Sequence, residues 1–172
     1  MIVLVLGGTR SGKSAIAERL AMRAPQPVTY IATGSAVDAD MDDRIARHRD
    51  RRPQHWSTIE AGPALVAALR STNGTVLVDA LGTWLAAHHD FAVDLDELLA
   101  AITGHDGDVI IVSDEVGLGV HPSTPLGRAF RDALGEVNTA VADIADRAML
   151  VVAGRVVELE RFDIEQWLGD ER

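Results

Sequence analysis

Eight residues near the start of the chain, Gly7-Gly8-Thr9-Arg10-Ser11-Gly12-Lys13-Ser14, have the types and spacing needed to hold a polyphosphate. They fit the pattern G-x-x-x-x-G-K-[ST] in full. Glycines let the backbone curl so that successive N–H groups face phosphate oxygens, and a helix starting near Gly12 adds the positive end of its dipole. In such a loop Lys13 bridges the terminal phosphates, and Ser14 places its hydroxyl on a magnesium ion spanning two of them. All eight are candidate nucleotide contacts. A turn that merely joined strand to helix would explain neither Lys13 nor Ser14 at these offsets.

Two further groups could act on a phosphate held there. Residues 44–52, RIARHRDRR, place five arginines and one aspartate around His48, in a chain whose formal net charge is -10. A neutral imidazole can attack phosphorus, and its ordinary pKa near 6.5 keeps it available at neutral pH. Arginine suits phosphate recognition, so Arg44, Arg47 and Arg49 are candidate phosphate contacts, Arg44 first because i and i+4 share a helix face with His48. A solvated helix face is the bland alternative for this run, and His55, beside Trp56, is the rival nucleophile. The other group is a carboxylate: Asp79 ends the apolar run TVLVD, where it could reach a magnesium shell or merely cap a helix. Glu60, at the end of STIE, completes the candidate nucleotide contacts.

The elements that position these groups follow from periodicity. Residues 2–6 read as a buried strand before the loop and 15–22 as the helix after it. VTYIAT at 28–33 reads as a second strand, and 38–50 as a helix with Met41, Ile45 and His48 on one face. A short extended piece at 57–62 and a helix at 63–70 come next, then the strand ending on Asp79. His88 and His89 fall in a helical region where neighbours point about 100° apart, so they cannot grip one ion together. A helix is expected over 91–103, a strand over 109–113 ending on Asp114-Glu115, and a long helix over 126–147. That last helix is apolar at Phe130, Leu134, Val137, Val141 and Ile144, with Arg128, Arg131 and Asn138 as its polar candidates. The segments 149–154 and 155–160 read as a closing hairpin around Gly154. Strands alternating with helices imply an α/β class with a mainly parallel sheet covered on both faces.

Composition narrows the possibilities. With 172 residues and 47% hydrophobic content, the chain suits one domain spanning 1–172. The acidic balance argues against general nucleic-acid binding, which depends on Lys and Arg neutralising phosphates. No charge-free apolar run approaches the roughly 20 residues of a membrane span, so a soluble cytoplasmic protein is expected. The absence of cysteine removes disulfides, thiolate metal sites and thiol nucleophiles. Magnesium brought by a nucleotide is the metal left to consider.

Four motifs in one order narrow the function: GGTRSGKS at 7–14, RIARHRDRRPQHW at 44–56, DEVGLGVHP at 114–122, and RAFRDALGEVN with its trailing AD at 145–146. Together, over residues 1 to 160, they resemble the bifunctional adenosylcobinamide kinase/adenosylcobinamide-phosphate guanylyltransferase family. The resemblance implies a P-loop NTPase (RecA-like) three-layer fold with a C-terminal antiparallel hairpin. It implies phosphorylation of adenosylcobinamide with ATP or GTP in cobalamin biosynthesis, then transfer of GMP from GTP to give adenosylcobinamide-GDP. In that family the guanylyl group rests on the histidine of R-I-x-x-H, which falls on His48, and the assembly is a homotrimer with sites between subunits. The family's usual N-E-V-G appears here as Asp114-Glu115-Val116-Gly117, an amide exchanged for a carboxylate. Two other functions fit the loop alone. A different small-molecule kinase would never be labelled by GTP, and a nucleotide-binding switch would need an effector surface that so short a chain does not obviously offer.

Overall fold

The computed structural model describes residues 1–34 and 53–162. The helix expected over 38–50, and with it Arg44, Arg47, His48 and Arg49, lies outside the described residues.

Seven strands form one sheet in the order β3-β2-β4-β5-β1-β6-β7. They are β1 (Ile2–Gly7), β2 (Val28–Ala32), β3 (Ser57–Glu60), β4 (Thr75–Asp79), β5 (Val109–Asp114), β6 (Arg147–Val152) and β7 (Arg155–Leu159). The first six run parallel, and β7 returns antiparallel to β6. The helices are α1 (Lys13–Ala21), α2 (Leu65–Ser71), α3 (Leu81–Ala86), α4 (Leu95–Thr103) and α5 (Pro125–Ile144). A single 3-10 turn, His89–Phe91, joins α3 to the segment before α4. No helix among the described residues is long and apolar enough to cross a membrane.

The central strands are apolar on both sides because both sides are covered. Val3 and Val5 of β1, with Ile110 and Val112 of β5, pack under Ala17 and Ala21 of α1. Leu4 and Leu6, with Val109 and Ile111, turn to the other face. There they meet Leu65 of α2, Leu81 and Leu85 of α3, Leu98 of α4, and Leu134, Val137 and Val141 of α5. Helix over sheet over helix makes the three layers expected, and the stripe along α5 packs as its spacing predicts.

Two helix ends differ from the periodicity by three residues or more, each for a local reason. The helix expected from residue 91 begins at Leu95 instead, because the Asp94 side chain accepts from Glu97 N at 2.9 Å and so caps it. The long helix stops at Ile144 rather than 147: Ala145 is extended, and Asp146 N donates to Ile2 O at 2.9 Å as the chain joins β1. Arg147 is therefore the first residue of β6, where it donates to Glu158 across the hairpin at 2.7 and 3.0 Å. That pairing holds the Glu158 carboxyl below its ordinary range.

The turn of the hairpin, Ala153-Gly154, has positive φ at both residues, the mirror-image turn whose twist matches two-residue hairpins. It also reaches the loop after β1: Gly154 N donates to Ser11 O at 2.7 Å, and a Cβ added to Gly12 would stand 3.4 Å from Gly154 Cα. The carboxyl end of the sheet thus carries a loop braced from one side by the hairpin.

Candidate active site

The loop after β1 is wound as its glycines allow. Gly12 has φ +97° and caps α1, Arg10 is left-handed at φ 58°, and Ser11 N donates back to Gly8 O at 3.1 Å. Gly8, Thr9 and Arg10 are exposed, whereas Ser11 is buried and Gly12 and Ser14 are half-buried. Gly7 has no room for a side chain: a Cβ there would lie 2.5 Å from Ser11 Oγ and 2.7 Å from the backbone oxygen of Val151. Gly7→Ala is therefore expected to cost about 1–3 kcal/mol of stability, as overpacking does, and to distort the loop enough to weaken nucleotide binding. Urea unfolding and a nucleotide titration check both effects, and wild-type values in both would mean that the loop yields freely.

Lys13 is enclosed rather than displayed on the loop surface. It is 5% exposed, its Nζ donates to Gly8 O at 3.2 Å, and it pairs with Asp114 Oδ1 at 2.7 Å. The strand order produces this contact. β5 lies beside β1 with Asp114 opposite Gly7, so the carboxylate ending one strand faces the loop leaving the other. Asp114 is fixed along its backbone as well, since Asn138 Nδ2 of α5 donates to its carbonyl at 3.0 Å and Glu115 N donates to Gly7 O at 3.1 Å. Its side chain crowds α3 too, for a Cβ on Gly82 would stand 2.7 Å from Asp114 Oδ2.

Asp79 closes the other side. One strand, β5, separates its strand from β1. Ser14 Oγ donates to Asp79 Oδ1 at 3.4 Å, and the buried Tyr30 hydroxyl of β2 donates to Asp79 Oδ2 at 2.7 Å. The residue after it is held by Thr33, whose Oγ1 accepts from Ala80 N at 2.9 Å and lies 2.7 Å from Thr83 Oγ1. Tyr30 and Thr33 were not singled out from sequence. Tyr30 lies in the middle of β2 and Thr33 just past its end, and only the pairing of β2 with β4 brings them to Asp79 and Ala80.

Among the described residues no group of three or more His, Cys, Asp or Glu could hold a metal by itself. Ser14 and Asp79 are hard oxygen donors close together, which suits a magnesium ion that completes its shell with phosphate oxygens and water.

The remaining candidates lie farther out. Glu60 ends β3 at the sheet's edge, exposed, four strand spacings or about 19 Å from β1, so it shares the carboxyl end of the sheet but not the loop. His55 is exposed in the turn before β3, and Trp56 beside it is buried. His88 and His89 point apart: His88 Nδ1 lies 2.9 Å from Trp84 O, and the His89 side chain is open to solvent. Arg128 and Arg131 serve the loop before α5. Arg128 Nη1 donates to Pro122 O and Ser123 O at 2.9 and 3.1 Å, and Arg131 Nη1 lies 2.8 Å from His121 Nδ1.

Comparison with known proteins agrees with this geometry. Among solved structures, a prototypical ATPase from the type III secretion system of pathogenic bacteria superposes with a TM-score of 0.54 at 10% identity. It covers 87% of this chain and 50% of its own, and the likeness supports the fold alone, the α/β P-loop NTPase arrangement. In sequence, the bifunctional adenosylcobalamin biosynthesis protein CobP of Pseudomonas aeruginosa is 42% identical, covering 91% of this chain and 96% of its own. The bifunctional adenosylcobalamin biosynthesis protein CobU of Salmonella typhimurium is 37% identical, covering 93% of this chain and all of its own. The family described as cobinamide kinase / cobinamide phosphate guanyltransferase matches residues 3–159, a span that takes in the phosphate loop, Asp79, Asp114 and the closing hairpin, and the chain belongs to it.

Proposed function

We propose that the chain is a two-step enzyme of cobalamin biosynthesis that acts on adenosylcobinamide and then on adenosylcobinamide phosphate. The observation that carries this reading is an intact phosphate loop, with Lys13, Ser14 and Asp79 converging at its mouth, in a member of this family. In the first step the substrate hydroxyl oxygen attacks the γ-phosphorus of ATP or GTP. The bond to the bridging oxygen breaks, and a nucleoside diphosphate leaves. Backbone N–H groups of residues 8–14 and the Lys13 ammonium meet the charge that develops, while Ser14 and Asp79 would hold magnesium, which when bound neutralises phosphate charge.

In the second step a ring nitrogen of His48 attacks the α-phosphorus of GTP and pyrophosphate leaves. A phosphate oxygen of adenosylcobinamide phosphate then displaces the imidazole to give adenosylcobinamide-GDP. Arg44, Arg47 and Arg49 are assigned to the departing pyrophosphate, and Glu60 to the nucleotide beyond its phosphates. The setting we assign is cytoplasmic, and the assembly a homotrimer.

The reading is tested with GTP labelled at the α-phosphate. Incubation with magnesium should leave acid-labile, base-stable label on the protein, which adenosylcobinamide phosphate discharges as adenosylcobinamide-GDP. A chain that phosphorylates adenosylcobinamide yet never takes up label is a plain kinase.

Asp79→Asn tests the metal assignment. Tyr30 and Ser14 donate to different oxygens, so the amide keeps one of these bonds and the other hydroxyl must turn to accept from the new NH2, and stability should fall by about 1 kcal/mol. Activity should fall roughly tenfold or more, with a higher magnesium concentration needed for half-maximal rate. Unchanged activity together with an unchanged magnesium titration would reduce Asp79 to an anchor for Ser14 and Tyr30.

A further inference from the structure

Lys13 has one positive charge, and in this structure that charge is already engaged. Its side chain is 6% exposed, so water screens it little, and it lies 2.7 Å from a carboxylate whose own side chain is 31% exposed. The pair is not a chance meeting of two flexible chains. Asp114 is held by β-sheet register opposite Gly7, by Asn138 at its carbonyl and by the following residue's bond to Gly7 O. Lys13 is the first residue of α1, with its backbone N donating to Ser11 Oγ at 3.3 Å. Both partners are therefore presented to each other by regular elements of the fold.

We propose that Asp114 is the resting counter-ion of Lys13, a positioning residue that sets how tightly the terminal phosphates are held and how readily the spent nucleotide leaves. The inference rests on the nucleotide-binding reading of the loop. A phosphate arriving at Lys13 must share or displace Asp114, so part of the lysine's attraction goes to breaking the existing pair. A triphosphate, with the most negative charge within reach of the ammonium, competes best. Once the γ-phosphoryl group has been transferred, the carboxylate recaptures the lysine and the diphosphate is released.

The test is titration of the full chain, with magnesium, using a non-hydrolysable GTP analogue with a β,γ-imido bridge, GDP and GMP. Asp114→Asn, which keeps shape and removes charge, should bind the triphosphate analogue about tenfold tighter than wild type and GMP equally well. In turnover with adenosylcobinamide it should lower KM and kcat together, as slower product release requires. In the Lys13→Ala background Asp114→Asn should change the affinity less than about twofold, because nothing is left to recapture. Asp114→Ser should shift affinity in the same direction, which covers the case of an Asp114→Asn chain that does not fold. Equal or weaker binding by folded Asp114→Asn, in a wild-type background that binds the analogue, would overturn the inference and leave the nucleotide reading standing. So would a gain of equal size in the Lys13→Ala background, which would make Asp114 a repulsive charge acting without the lysine. Failure of the wild-type chain itself to bind any of the three nucleotides would overturn both.

Discussion

Lys13→Ala is expected to lower phosphorylation of adenosylcobinamide by at least about a hundredfold, the loss seen when one charged donor to a developing oxyanion is removed. The loop should lose the bond from Lys13 Nζ to Gly8 O yet keep its winding, which Gly7, Gly12, the bond from Ser11 N to Gly8 O and the bond from Gly154 N to Ser11 O also hold. The substitution is not free of structural cost, however. It strands Asp114 in a half-enclosed site and empties a buried position, so stability should fall by about 1 kcal/mol, a figure held down by the solvent that still reaches the carboxylate. Lys13→Ala combined with Asp114→Ala should regain part of that stability and none of the activity. Urea unfolding and a coupled kinase assay on the two variants separate the roles, and wild-type turnover by Lys13→Ala would remove the basis for placing phosphates at this loop.

How far such roles could be seen in the sequence depended on whether their geometry is local. The phosphate loop was legible because eight consecutive residues contain its glycines, its lysine and its hydroxyl, and the flanking apolar run and helix confirmed the context. Asp79 was legible as a strand-end carboxylate, and in the fold it accepts from Ser14 of the loop. The Lys13–Asp114 pair was hidden, since it joins residues about a hundred positions apart and depends on β5 inserting between β1 and β4. Periodicity shows that strands exist, but their lateral order comes from tertiary packing. Tyr30 was hidden for the same reason: its hydroxyl reaches Asp79 only because β2 lies against β4. Asn138 stood out as a polar residue on an apolar helix, and the structure gives it a task, donating to the backbone of Asp114. Helix ends were misjudged by three or four residues where a cap or a strand pairing overrode the apolar pattern, at Asp94 and at Ala145.

We expect the two activities to part company at His48. If the imidazole carries GMP, His48→Ala should abolish labelling by α-labelled GTP and reduce guanylyl transfer to background, a loss of several orders of magnitude, because the group assigned to attack the α-phosphorus is gone. Phosphorylation should continue, since there the substrate hydroxyl attacks the γ-phosphorus directly and the charge is met by Lys13 and the loop amides, which His48 does not build. The nearest rival is His55, exposed in the turn before β3 and next to the buried Trp56, so it is free to react but belongs to no cluster of arginines in sequence as tight as that around His48. His55→Ala should keep both labelling and transfer. Arg44→Ala should slow labelling more than it slows phosphorylation, as expected of a group that meets pyrophosphate rather than the γ-phosphoryl group. Mass spectrometry of the labelled protein decides between the histidines: GMP on a peptide containing His55 but not His48, or undiminished labelling of His48→Ala, would overturn the assignment while leaving the kinase reaction intact.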